Sequence, residues 1–171
     1  MPKLKQQDQV CSVALSLDLI GDRWTMLIIR DAFYGLSRFQ DFQQSIGLAK
    51  NVLSARLAKL TLGGVLATEP ISDGGWLAYK LTPKGHALLP TLMALLQWGD
   101  EWVNQPSNIA IKVLERTTSQ PIEPIVIRGA SGKALAMPDL ALQAGPGATR
   151  PASLKHKAVF IKAKQRLDKK I

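Results

Sequence analysis

The chain is poor in the residues that build catalytic and metal centres. Its 171 residues hold one cysteine, Cys11, and two histidines, His86 and His156. A single cysteine excludes an intrachain disulfide and fits a reducing compartment. The two histidines are isolated from one another and from other ligand types, so no metal site and no cofactor are expected. No apolar run approaches the ~20 residues that span a bilayer. The opening residues, Met1-Pro2-Lys3-Leu4-Lys5-Gln6-Gln7, lack the apolar stretch of a secretory signal. Together these predict a cytoplasmic protein with no membrane partner. There is no phosphate-cradling glycine loop, no nucleophile with a placed histidine and no defensible carboxylate pair, which argues against an enzyme.

Acidic residues are also scarce, though only toward the end of the chain. Residues 1–105 carry ten Lys/Arg against nine Asp/Glu, whereas residues 106–171 carry twelve against four. From Ala148 onward the sequence holds eight bases and one acid, Asp168. The net charge of +9 therefore suggests a polyanionic partner. Its concentration in the tail means that bulk charge alone does not locate the contact surface.

The first hundred residues contain a dense helical pattern. One helix is predicted over about Cys11 to Leu19, ending at Gly21, and a second from Arg23 to Phe33 behind Asp22 as N-cap. Arg38 to Ile46 places Phe39, Phe42 and Ile46 on one face. Gly47 is the turn, and a further helix runs from about Ala49 to Leu62 with Leu53, Leu57 and Leu60 aligned. Two strand-like runs follow, Val65–Ile71 and Trp76–Leu81, around the glycine-rich turn at Ser72–Gly75. Thr82 caps a helix with Pro83 at its first position, expected to continue to about Val103 with a disturbance at Pro90. Its broad apolar arc, including Leu89, Leu92, Leu96, Trp98 and Trp102, predicts a partner helix from a second copy of the chain. The fold class expected is mainly α with a small β-hairpin, a winged helix-turn-helix, followed by a small β-rich extension and a basic tail.

Such an arrangement offers one helix to the major groove of double-stranded DNA. With Leu53 at the centre of the buried side, steps of about 100° put Asn51, Ala55, Ala58 and Leu62 nearly opposite, with Ser54 and Lys59 at the edges. An asparagine can bond adenine N6 and N7, serine reaches several bases, and alanines allow close approach to the groove floor. Arg38 and Lys50 suit phosphates, and Arg56, Lys59 and Lys80 complete the candidate contact set. The alternative reading is a solvated helix face, used by a winged-helix module that binds protein rather than DNA.

An ordered set of segments resembles the HxlR family of bacterial winged helix-turn-helix regulators, which are MarR-like. It comprises Cys11 with Leu17–Trp24, Arg38-Phe39, Val52–Leu57, Tyr79–Gly85 and Trp98-Gly99. The resemblance covers about residues 11–103. It implies homodimers joined through N- and C-terminal helices, binding to a pseudo-palindromic operator, and repression or activation of nearby genes. It also implies that Cys11 stands where some members sense oxidants, although a packed cysteine is the plainer reading. Helices that join the dimer would leave room for a small-molecule inducer of unknown identity. Two features depart from the family pattern. Ala49 stands where the family places a capping serine, and the wing, with Glu69 and Asp73, has little positive charge besides Lys80.

Three regions are therefore expected. Residues 1–105 form the DNA-binding and dimerisation domain, and residues 106–148 a small extension with strand-like runs at 109–114, 122–127 and 140–142. Residues 149–171 form a basic tail, helical or disordered. The segment 113–148 resembles the C-terminal extension of larger HxlR-like proteins, where cysteines suggest a metal site. Here Thr117, Thr118, Gly129 and Ser131 occupy that region, and it has no cysteine.

Overall fold

A computed structural model describes residues 11–71, 75–141, 143 and 146. It separates into a unit spanning Asp22–Met137 and a second unit that holds the first helix, α1 (Ser12–Ile20). In α1 only Ile20 is buried, while Val13, Leu15 and Leu17 are exposed. Gly21 ends the helix by donating to the Leu17 carbonyl at 2.8 Å.

The larger unit begins with α2 (Arg23–Phe33), whose N-cap Asp22 accepts from the Thr25 N–H at 3.1 Å. Ile28 and Ile29 are completely buried and form the centre of the core. After a left-handed Gly35 comes α3 (Phe39–Ile46), which buries Phe42. Gly47, at φ +72°, then turns the chain sharply. This is the left-handed region, which costs a side-chain-bearing residue roughly 1–2 kcal/mol. The Gln43 side chain steadies the turn by donating to the Leu48 carbonyl at 3.4 Å. The next helix, α4 (Lys50–Leu62), sends Leu53, Leu57 and Leu60 fully into the core. Lys84 Nζ donates to the Gly63 carbonyl at 2.7 Å, supplying a cation at the negative end of the α4 dipole.

The hairpin consists of β1 (Leu66–Pro70) and β2 (Leu77–Leu81), antiparallel, with Leu66 opposite Leu81 and Pro70 opposite Leu77. The segment before α3 adds a short third rung, because Arg38 bridges Ala78 and Tyr79 N–H donates to the Ser37 carbonyl at 2.7 Å. Phe42 meets Tyr79 edge-on at 6.4 Å, joining α3 to the hairpin. Thr82 closes the joint from β2: its hydroxyl donates to the Gly64 carbonyl at 2.6 Å and accepts from Gly85 N–H at 3.1 Å. Residues 72–74, the tip of the expected turn, and the tail after Pro146 lie outside the described residues.

Two expectations need correction. The single long helix from Pro83 is in fact two, α5 (Pro83–His86) and α6 (Leu89–Trp102). In a continuous helix the Pro90 ring would strike the His86 carbonyl and leave it without a donor. The chain instead tightens at Ala87-Leu88, and Pro90 falls in the first turn of α6, where no N–H is needed. The apolar arc also divides differently. Leu92 and Met93 are buried in the chain's own core, whereas Leu95, Trp98, Trp102 and Val103 are exposed.

Beyond a short 3₁₀ turn at Pro106–Asn108, the strand-like runs form isolated bridges, Leu114 with Pro121 and Arg128 with Ala134, rather than continuous ladders. The reason is a shortage of partners to bury against: Ile111, Leu114, Ile125, Val126 and Ile127 are all exposed. Gln97 of α6 fastens this segment by donating to the Glu123 carbonyl at 3.0 Å and accepting from Ile125 N–H at 2.8 Å.

Two glycines separate conformational from steric cost. An added Cβ at Gly47 meets nothing within 4 Å, so only its positive φ is at issue, whereas at Gly85 a Cβ would collide with the Val65 carbonyl oxygen. Gly47→Ala should cost about 1–2 kcal/mol in denaturant unfolding. Gly85→Ala should cost clearly more, because backbone must move. Equal midpoints for the two variants would contradict these assignments.

Candidate nucleic-acid interface

The outward side of α4 follows from where its leucines go. With Leu53, Leu57 and Leu60 wholly buried, a 3.6-residue repeat turns Asn51, Ser54, Ala55, Ala58 and Leu62 to solvent, and all five are exposed. Leu62 is 92% exposed, an unusual state for a leucine beside a core. Ala49 holds the N-cap position with no side-chain bond, so the first α4 amides stay open for an external acceptor. Lys50 is exposed at that end, and Arg38 is exposed at the N-cap of α3, where its own N–H donates to the Asp41 carboxylate at 3.4 Å. An open groove of about 390 Å³ separates α4 from the hairpin, lined by Ser54, Ala58, Thr61, Leu62, Thr68 and Tyr79. The Thr61 hydroxyl oxygen is buried without a hydrogen-bond partner.

Two of the expected cationic contacts are engaged elsewhere. Arg56 Nε lies 3.3 Å from an Asp22 carboxylate oxygen, an ion pair without hydrogen-bond alignment that ties α4 to the start of α2. Lys80 Nζ lies 2.6 Å from Glu69 on the neighbouring strand, both side chains being more than half exposed. A pair this open adds little stability but cancels the wing's charge locally. Lys59 is half-buried. Lys50 and Arg38 are therefore the cations of the expected set that are both exposed and outside these ion pairs.

Asp22 was legible in the sequence as a helix cap, and its second role was not. Nothing in the linear pattern places it against Arg56, which lies 34 residues further on. Burial acts to raise the Asp22 pKa, but bonds from the Thr25 hydroxyl and amide, with the charges of Arg56 and Lys59, outweigh it and hold the carboxyl below its ordinary 3.8. The groove residues Thr61, Thr68 and Tyr79 were also missed, because they converge from separate elements.

At the N-cap of α1, Cys11 is exposed and free. Among the described residues no three His, Cys, Asp or Glu side chains cluster in a way that could hold a metal ion, and no helix is long and apolar enough to cross a membrane.

The helix–turn–helix with its hairpin matches a described family: residues 19–107 fit the model of the HxlR-like helix-turn-helix. The chain belongs to that family. It is 34% identical over 137 residues to an uncharacterized HTH-type transcriptional regulator, Mb3122, of Mycobacterium bovis, covering 80% of this chain and 87% of the relative. Among solved structures it is similar to PA1607, described as a candidate transcription factor. The TM-score is 0.77 at 43% identity, over 82% of this chain and all of that one. The redox regulator HypR in its oxidized form is also similar, with TM-score 0.51 and 25% identity over 56% of this chain and all of that one. The chain is thus a transcription regulator with the DNA-binding helix-turn-helix fold and the winged α+β architecture expected.

The lowered Asp22 pKa sets a direction for pH dependence. A carboxyl depressed by folding contributes stability that is complete above its unfolded pKa and is lost as pH falls through the folded value. Unfolding midpoints should therefore drop on acidification below about pH 4. Asp22→Asn should lower stability at neutral pH and flatten that acid limb; an unchanged limb in the variant would remove Asp22 from the account.

Proposed function

We propose that this HxlR-like chain acts as a homodimer and binds a pseudo-palindromic operator by inserting α4 into successive major grooves. The observation that carries the reading is the two-sidedness of α4. Three leucines hold it rigidly, while Asn51, Ser54, Ala55 and Ala58 face solvent with small side chains. Asn51 would pair with an adenine edge, and Ser54 with an adjacent base. Lys50 and Arg38 would hold phosphates, which position the helix without selecting sequence. The dimer contact would use the exposed apolar side of α6, chiefly Leu89, Leu95, Trp98 and Trp102. A two-fold axis there would set the two α4 helices about 34 Å apart, one turn of duplex.

Because Lys80 is paired with Glu69, the hairpin supplies little attraction to DNA. The eight bases after Ala148 would provide most of the long-range attraction.

Selection of bound fragments from random duplexes tests the reading. A conserved inverted repeat is expected, and Asn51→Ala should relax preference at one position per half-site, with a loss of ~1–3 kcal/mol on the selected duplex. Recovery of no enriched sequence, with a stable complex to another protein instead, would favour an interaction module. Removal of residues 149–171 should weaken binding to all duplexes and reduce the slope of log affinity against log salt. A slope unaffected by truncation would show that the tail makes no phosphate contact.

A further inference from the structure

We propose that α4 reads thymine methyl groups through Ala55 and Ala58, so that each half-site is built on A·T pairs and not anchored on guanine. This rests on the operator-binding reading above and adds the class of sequence recognised.

The inference comes from what the outward side of α4 does and does not present. The commonest specific contact in a major groove is arginine or lysine on guanine O6 and N7. The only arginine on α4 is Arg56, and it is held against Asp22 at 3.3 Å, on the flank of the helix that meets α2. Lys59, one turn further along the same flank, is half-buried and its charge also acts on Asp22. Lys50 is at the first turn and lies about 60° from the Leu53 direction, well away from the outward centre. What remains at that centre is Asn51, Ala55, Ala58 and Leu62, all exposed. Asparagine matches adenine, whose partner thymine carries a C5 methyl into the same groove. Alanine methyls complement that group, and alanine is short enough to let the helix backbone close on it. Ala55 and Ala58 are about 4.5 Å apart along the axis, close to one base-pair step, and Asn51 is about 6 Å before Ala55. A short A·T run therefore satisfies all three side chains together, whereas a guanine there would find no cationic donor.

The experiment uses the full chain and the duplex recovered by selection. Each thymine is replaced in turn by deoxyuridine, which keeps every hydrogen-bonding group and removes only the methyl. At one or two positions per half-site, affinity measured by fluorescence anisotropy should fall about three- to tenfold, the scale of losing one buried methyl. In Ala55→Gly and Ala58→Gly, the deoxyuridine penalty at one matching position should vanish while the others persist. Ala55→Ser and Ala58→Ser, which keep more helix propensity, serve where the glycine variants melt too early. Guanine-anchored half-sites, or deoxyuridine penalties that none of these variants alters, would overturn this inference and leave operator binding intact. Retention of no duplex at all would overturn the operator reading and this one with it.

Discussion

Everything functional in this molecule depends on how α4 is held. Leu53, Leu57 and Leu60 are wholly buried, as Ile28, Ile29 and Phe42 are, and α4 packs against α2, α3 and β1 in one core. Truncating one such leucine typically costs about 2–5 kcal/mol, a large part of a small domain's stability. That anchorage fixes the rotation of α4, and rotation alone decides which residues a duplex could meet. The left-handed Gly47 fixes the angle at which α4 leaves α3, and Lys84 and Thr82 secure its far end through the Gly63 and Gly64 carbonyls.

Electrostatics adds a second constraint. Arg56, which in sequence looks like one more cation on a DNA-binding helix, serves the fold by pairing with the residue that caps α2. Asp22 thus links the start of one helix to the flank of another, and its depressed pKa is the chemical trace of that link. The hairpin cation Lys80 is likewise neutralised. The outward side of α4 is left nearly uncharged, a surface suited to contacts of shape and hydrogen bonding, with attraction supplied from elsewhere in the chain.

The helices, the turn at Gly47 and the hairpin were legible because each has a local physical cause: leucine spacing, Asp22 and Thr82 as caps, glycine where φ is positive. The face carrying Asn51, Ser54, Ala55 and Ala58 was legible for the same reason, since it is the geometric complement of a leucine stripe. Three things were not. The break between α5 and α6 depended on whether Pro90 would kink a helix or begin one, which its local pattern left open. The inward turn of Leu92 was hidden by an arc apolar nearly all round. The engagement of Arg56 and Lys80 required tertiary neighbours, Asp22 from a distant segment and Glu69 across the hairpin. The strand-like runs after Pro106 have the composition of strands, but with Ile111, Ile125 and Ile127 exposed they lack the burial that would extend two bridges into a sheet.

The most direct measurement of the central claim is a titration of the isotope-labelled chain with its selected duplex, followed through backbone amide chemical shifts. The account predicts that the largest changes fall on amides from Lys50 to Ala58, with smaller ones at Arg38. Large changes confined to α6 or to residues 109–137, with α4 unperturbed, would contradict it.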